Sequence, residues 1–129
     1  MDEDLLSRIP FSKTLGIELV EAGKNGVRAR LTVRAELCTA GHSVHGGVLM
    51  SLADSIAALG AYLNLPEGAK GTTTIESKTN FLAGAPEGSV LLAEALPVRV
   101  GRRLSVWQTR ITAGDGQEVA LITQSQLVL

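Results

Sequence analysis

Four long strand patterns follow one another in the second half of the chain. They are rich in β-branched and other apolar residues, and their ranges are Thr72 to Leu82, Ser89 to Val100, Leu104 to Ala113 and Glu118 to Leu129. Only short turn sequences separate them, such as Pro86-Glu87-Gly88 and Asp115-Gly116. Four strands in succession with such connections predict an antiparallel sheet, which constrains the fold more than any other feature.

The first half of the chain adds a hairpin. Ile17 to Glu21 and Val27 to Val33 flank Lys24-Asn25-Gly26, and an Asn-Gly pair between two such runs is a strong hairpin signal. Before it, Asp2 to Ile9 has the pattern of a short helix. We expect Pro10 to end that helix, because proline cannot continue an upstream turn, and we expect strands to follow.

One long helix lies between the hairpin and the four strands. After a loop from Ala35 to Val44, the apolar spacing becomes helical from Gly46-Gly47 to about Leu65-Pro66. Apolar residues occupy most of its faces, and polar residues interrupt it, so we interpret it as a buried helix and not as a membrane span. The 129 residues suit one core. We predict a single α+β domain over residues 1–129, with the helix packed against the sheet.

Composition excludes several classes of protein. The chain has 12 Lys and Arg, 13 Asp and Glu, and 3% aromatic residues, so it lacks the basic surface and the stacking residues of a nucleic-acid-binding protein. Cys38 is the only cysteine, which rules out an internal disulfide, and with two histidines it does not resemble a metal site. The acidic N-terminus is unlike a signal peptide. We expect a cytoplasmic protein with no nucleic acid, membrane or metal partner.

Asp54 is the residue of the long helix that most needs an explanation. It lies on the same side of the helix as Gly47, Ser51 and Ser55. A buried carboxylate is costly without partners or a task, so we expect Asp54 to be buried and functional. The alternative is that Asp54 caps a neighbouring loop or reaches solvent along the serine stripe.

The sequence Val44-His45-Gly46-Gly47-Val48 stands at the start of the same helix. Glycines permit close approach to the backbone, and a helix start supplies unpaired amides that can receive a developing oxyanion. Such amides and one activated carboxylate suffice for thioester hydrolysis, because a thiolate leaves easily. The alternative is a tight turn into the helix without a ligand.

These motifs together resemble a known family. His45-Gly46-Gly47, followed by Asp54 in Ser51-Leu52-Ala53-Asp54, resembles the phenylacetic-acid-degradation (PaaI-like) group of hotdog-fold acyl-CoA thioesterases. Asn80 to Ala85 looks like the end of the strand after the family's helix, and the last hairpin is also similar. The resemblance spans roughly Gly16 to Leu129. It implies a hotdog fold, in which an antiparallel sheet wraps around one central helix.

The resemblance implies roles for four residues. Asp54 would be the nucleophile or the general base for water, and the Gly46 amide would polarise the thioester. His45 either takes part in catalysis or fixes the loop through hydrogen bonds. Thr74 matches an assisting polar residue best, with Thr72 and Thr73 as rivals. Where relatives carry Asn or Gln before the His-Gly-Gly, this chain has Thr39 to His42, so His42 is a candidate replacement.

Spacing along the helix predicts a shared site. Gly46 and Asp54 are eight residues apart, which is about 12 Å along a helix axis. That exceeds the hydrogen-bond reach needed at one carbonyl. If both roles hold, the two groups must come from different chains, so we predict a homodimer with sites at its interface, as in the family. A homotetramer is also expected from the resemblance.

The substrate implied is an acyl-CoA, with coenzyme A as part of the substrate and no separate cofactor. Arginines near the Gly101 turn suit phosphate oxygens, and Arg102 and Arg103 are our candidates for the coenzyme A phosphates. The acyl pocket would include Leu52, Tyr62, Phe81 and Leu82. These residues do not distinguish an aryl group from a medium-chain acyl group. Two other functions remain: a hydratase or dehydratase of this fold, or an acyl-CoA-binding module without turnover.

Overall fold

A computed structural model describes residues 2–129, with side chains from residue 5 onward. The N-terminal part contains α1 (Asp2–Ser7), α2 (Pro10–Leu15), β1 (Glu18–Gly23), β2 (Gly26–Thr32) and a single 3-10 turn (Ala35–Leu37). The long helix α3 (Gly46–Leu63) follows, and then β3 (Thr72–Phe81), β4 (Val90–Val100), β5 (Leu104–Ala113) and β6 (Glu118–Val128). The predicted hairpin, long helix and four strands all form, with ends that coincide with the prediction or differ from it by one to three residues.

The N-terminal region differs from the prediction. The first helix ends at Ser7, and Pro10 begins a second helix, which the sequence analysis missed when it expected strands after Pro10. The physical reason is that proline fits the first position of a helix, where its missing N–H would have no partner. Gly16 ends α2 in the left-handed conformation.

The six strands form one antiparallel sheet in the order β1-β2-β4-β5-β6-β3. Helix α3 packs across one face of this sheet and contacts all six strands. The expected α+β architecture, a sheet around one long helix, is therefore confirmed. Strands β1 and β3 are the two edges of the sheet.

The centre of the core lies between α3 and the sheet. Leu52, Ile56 and Trp107 are fully buried there, and burial of a large aliphatic side chain contributes roughly 1.5–3 kcal/mol. A Cβ at Gly60 would lie 2.6 Å from two ring atoms of Trp107, so glycine is what lets the helix approach the indole. By length and composition α3 could cross a membrane, but more than half of it is buried inside the fold, as in the core helix of a soluble protein.

Edge strand β3 is built differently from the other strands. Among the residues that the structure describes, none of its side chains belongs to the hydrophobic core. Its more buried residues are all polar, namely Thr72, Thr74, Ser77 and Thr79, whereas Ile75 and Phe81 are exposed. The register shifts between Thr74 and Glu76, and this bulge moves the buried positions from even to odd numbers. A polar row therefore runs along one flank of α3.

Candidate active site

Asp54 projects from the flank of α3 towards the polar row of β3. Its Oδ1 accepts a hydrogen bond from the Thr74 hydroxyl at 2.6 Å and another from Gln124 Nε2 at 2.9 Å. No donor to Oδ2 occurs among the residues that the structure describes. One carboxylate oxygen is thus held in place while the other is open.

The prediction that Asp54 is buried was wrong for a single chain, in which Asp54 is exposed. Helix α3 is not covered on this flank, because β3 is the edge of the sheet and no further strand follows it. The case for Asp54 therefore rests on its two hydrogen bonds and its open oxygen, and not on desolvation.

Two further residues, which were not predicted from the sequence, belong to this site. Gln124 donates to Asp54, and Gln126 Nε2 donates to the Thr74 hydroxyl at 2.6 Å. Both side chains are buried, with 1% and 0% of their surface exposed. The available signal was their spacing of two on a strand, which places them on the same face as the buried Ile122. Two amides in succession on a core-facing strand surface are unusual.

The helix start holds the second group of predicted residues. His45 is the N-cap of α3, and its Nδ1 accepts a hydrogen bond from the Gly47 N–H at 2.8 Å. The Val48 N–H donates to the His45 carbonyl at 2.9 Å. The Gly46 N–H has no acceptor among the described residues. The loop-fixing alternative for His45 is therefore realised in this geometry, and the Gly46 amide is left open.

A glycine is required at position 46 by its surroundings. A Cβ there would lie 2.9 Å from a ring carbon of Phe81, closer than real contacts allow. The aromatic ring therefore lies directly against the backbone next to the open amide. Gly46 and Asp54 occupy one continuous helix, so the separation of about 12 Å along the axis holds within a chain.

With this geometry in view, the comparisons with known proteins assign the family. A model of the thioesterase superfamily matches residues 41–120, which include the His-Gly-Gly motif, all of α3, β3, β4 and β5, and the first three residues of β6. The chain belongs to the thioesterase superfamily. The predicted enzyme class, a thioester hydrolase, is confirmed by this membership.

Individual relatives agree with that family. The protein Rv1847 of Mycobacterium tuberculosis is 33% identical over 114 residues, covering 87% of this chain and 81% of that one. Its structure gives a TM-score of 0.89, with 93% of this chain and 96% of that chain covered. The Arabidopsis thaliana protein named 1,4-dihydroxy-2-naphthoyl-CoA thioesterase 2 is 32% identical, over 77% of this chain and 62% of its own length.

The more specific resemblance is also confirmed. The structure of the phenylacetic acid degradation protein PaaI from Thermus thermophilus is 25% identical, with a TM-score of 0.85, and covers 93% of this chain and 99% of that one. The hotdog architecture and the PaaI-like character predicted from the His-Gly-Gly and Asp54 motifs therefore hold for this thioesterase.

Other predicted residues of the thioesterase lie away from Asp54 of the same chain. His42, in the left-handed conformation with φ 59°, sits on the loop before α3 and its imidazole lies 3.6 Å from Glu87. Desolvation, and then the Glu87 carboxylate, raises the pKa of the Cys38 thiol, which disfavours the reactive thiolate. Among the described residues no group of three potential metal ligands occurs.

Arg102 and Arg103 are exposed in the turn between β4 and β5, where they line a cleft of about 460 Å³ with residues that follow α3 and residues at the end of β6. Thr74, which donates to Asp54, pairs with Gln126 on one side of β6, and Ser105 pairs with Gln126 on the other side, so Ser105 lies level with the site. Arg103 is two residues from Ser105, roughly 7 Å along a strand. The two arginines therefore lie at the Asp54 end of the sheet.

Two apolar grooves lie against α3 in each chain of the thioesterase. One, of about 240 Å³, begins at Ala58, one turn beyond Asp54, and its lining is Leu5, Arg8, Ile9, Ala58, Leu59 and Tyr62. The other, of about 420 Å³, surrounds Gly46 and includes Phe81 and Leu82. The predicted pocket residue Leu52 is fully buried in the core and lines neither groove, so that assignment was wrong.

Proposed function

We propose that this thioesterase hydrolyses an aryl- or medium-chain acyl-CoA to the free acid and coenzyme A, with Asp54 as its essential carboxylate. The observation that carries the proposal is the asymmetric environment of Asp54, in which Oδ1 accepts two hydrogen bonds and Oδ2 has no described donor. Both donors hold Oδ1 in a fixed position. The open Oδ2 either attacks the thioester carbonyl or takes a proton from an attacking water.

The Gly46 N–H supplies the oxyanion site in this proposal. Its neighbours Gly47 and Val48 already donate to His45, so Gly46 is the amide of the first turn that is free to bind a ligand. An amide at a helix start carries the positive end of the helix dipole and stabilises the developing negative charge of the carbonyl oxygen.

The catalytic pair forms between two chains. Within one chain the open amide and the carboxylate are too far apart for one carbonyl, whereas a two-fold dimer that places one Asp54 beside the partner's helix start creates two equivalent sites. The exposed edge strand β3, with exposed Ile75 and Phe81, supports an interface on this side. Covering that side would also withdraw Asp54 from bulk water.

In this proposal the acyl group occupies the apolar groove that begins at Ala58, one turn beyond Asp54 on α3. The 240 Å³ groove at Ala58 and Tyr62 is smaller than the roughly 300–1,000 Å³ pockets that hold drug-sized ligands, and it suits a ring or a chain of several carbons. The Arabidopsis relative is named for an aryl-CoA substrate, which supports testing aryl groups first. Arg102 and Arg103 bind the coenzyme A phosphates.

Thiol release from a panel of aryl- and fatty-acyl-CoA esters tests the proposal. Asp54→Asn keeps the size of the side chain but removes the base, so we expect kcat to fall by about 100-fold to 10,000-fold. Asp115→Asn is the matched control, because Asp115 is exposed in the turn between β5 and β6. Native turnover by Asp54→Asn on every ester that the native protein cleaves would remove Asp54 from the reaction.

A further inference from the structure

Gln124 carries a polar atom that the fold does not satisfy. Its side chain is 1% exposed, and its Oε1 has no hydrogen-bond partner among the described residues, although its Nε2 donates to Asp54. A buried acceptor without a partner opposes folding. A residue of similar length without polar atoms, such as methionine, would avoid that cost. The glutamine therefore requires a reason other than stability.

Three hydrogen bonds from β3 and β6 lead to the Asp54 carboxylate. An ionised carboxylate only accepts, so the Thr74 hydroxyl must give its proton to Asp54 Oδ1. The Thr74 oxygen is then an acceptor, and Gln126 Nε2 supplies the donor at 2.6 Å. The Thr72 hydroxyl lies 3.2 Å from Gln126 Oε1 and 3.1 Å from the Leu127 carbonyl, so it shares its proton between these two acceptors.

We propose that Gln124 and Gln126 are positioning residues for Asp54. Gln124 acts on Oδ1 directly and Gln126 acts through Thr74, so that Oδ2 is the oxygen that faces the substrate. This inference rests on the proposed role of Asp54. It extends that role to the last strand, since both glutamines belong to β6 and are anchored by the strand's pairing with β3 and β5.

Replacement of Gln124 should lower activity without lowering stability. Gln124→Met removes the donor to Asp54 and also removes the unsatisfied Oε1. We expect kcat to fall by about tenfold to 100-fold, because small displacements of a catalytic group are costly, with little change in KM and an unchanged or higher melting temperature. Gln108→Met is the matched control: Gln108 lies on the neighbouring strand, is partly buried and donates to Thr123. It should keep native kcat.

The combination with Asp54→Asn tests whether Gln124 acts through the carboxylate. If it does, adding Gln124→Met to Asp54→Asn leaves the residual rate unchanged, whereas independent effects would multiply. Gln126→Met is the second variant should Gln124→Met not fold, and a smaller loss of kcat is expected from it.

The outcomes distinguish the catalytic role of Asp54 from the positioning role of the two glutamines. Loss of activity in Asp54→Asn together with native kcat in the folded glutamine variants overturns the positioning role and leaves the proposed function standing. Native activity in Asp54→Asn overturns both. If the double variant is slower than Asp54→Asn by the same factor that Gln124→Met costs alone, Gln124 does not act through Asp54, and the positioning role is overturned.

Discussion

The division of the site between two chains can be tested by restoring activity from two inactive variants. Asp54→Asn removes the carboxylate. Gly46→Pro removes the amide proton, and proline is compatible with the first position of a helix. His45, the residue before it, has φ −68° and ψ 134°, which is the conformation favoured before proline. We expect each variant alone to have about 1% of native activity or less, from loss of the base or of an oxyanion donor.

The fraction of intact sites in mixed assemblies of the two variants can be calculated. A site formed from two chains is intact when its amide comes from the Asp54→Asn chain and its carboxylate from the Gly46→Pro chain. With equal amounts and random pairing, each condition is met in half of the sites, so about a quarter of all sites are intact. The same fraction holds if the dimers pair further into tetramers.

The assay is thiol release by the unselected mixture of co-expressed chains, which carry two different affinity tags. Capture of a separate sample on both tags in turn shows that mixed assemblies are present. Gly46→Ala is the control for crowding, because it keeps the amide proton but brings a Cβ to within 2.9 Å of the Phe81 ring. Activity in the mixed assemblies that stays at the level of the parents would refute the shared site, since no single chain in the mixture carries both groups.

Three further predictions concern binding and stability. Replacing Arg102 and Arg103 by alanine should raise KM for acyl-CoA but not for the matching acyl-pantetheine, which lacks the nucleotide phosphates, as measured by thiol release. Gly60→Ala should lower the free energy of unfolding in urea by about 1–3 kcal/mol, because the new Cβ meets the Trp107 ring at 2.6 Å. His45→Ala should lose the helix cap and about 0.5–2 kcal/mol by the same measurement, while His45→Asn should keep most of the stability.

The order of elements could be predicted from the sequence because each depends on local patterns. The Asn25-Gly26 turn and the strand periodicity placed β1 to β6 to within one or two residues. The start of α2 could not be assigned in the same way, since Pro10 is equally compatible with the end of one helix and the start of another.

The candidate site was only partly predictable, because its geometry depends on contacts between distant segments. Asp54 and Gly46 stand out in the sequence through their helix and its glycines. Exposure of Asp54 depends on which strand forms the sheet edge, and this follows from the strand order and not from local pattern. The contact of Gln124 with Asp54 joins residues 70 positions apart, so it required the register of β6.

The side chains of β3 serve the site and not the core. This strand supplies Thr74 to the carboxylate but, among the described residues, no side chain to the hydrophobic core. Substitutions along β3 can therefore alter the environment of the site while the packing around Trp107 and Ile56 stays intact. Such an arrangement gives the chain a strand whose side chains can change without repacking the core, beside a core that cannot change so freely.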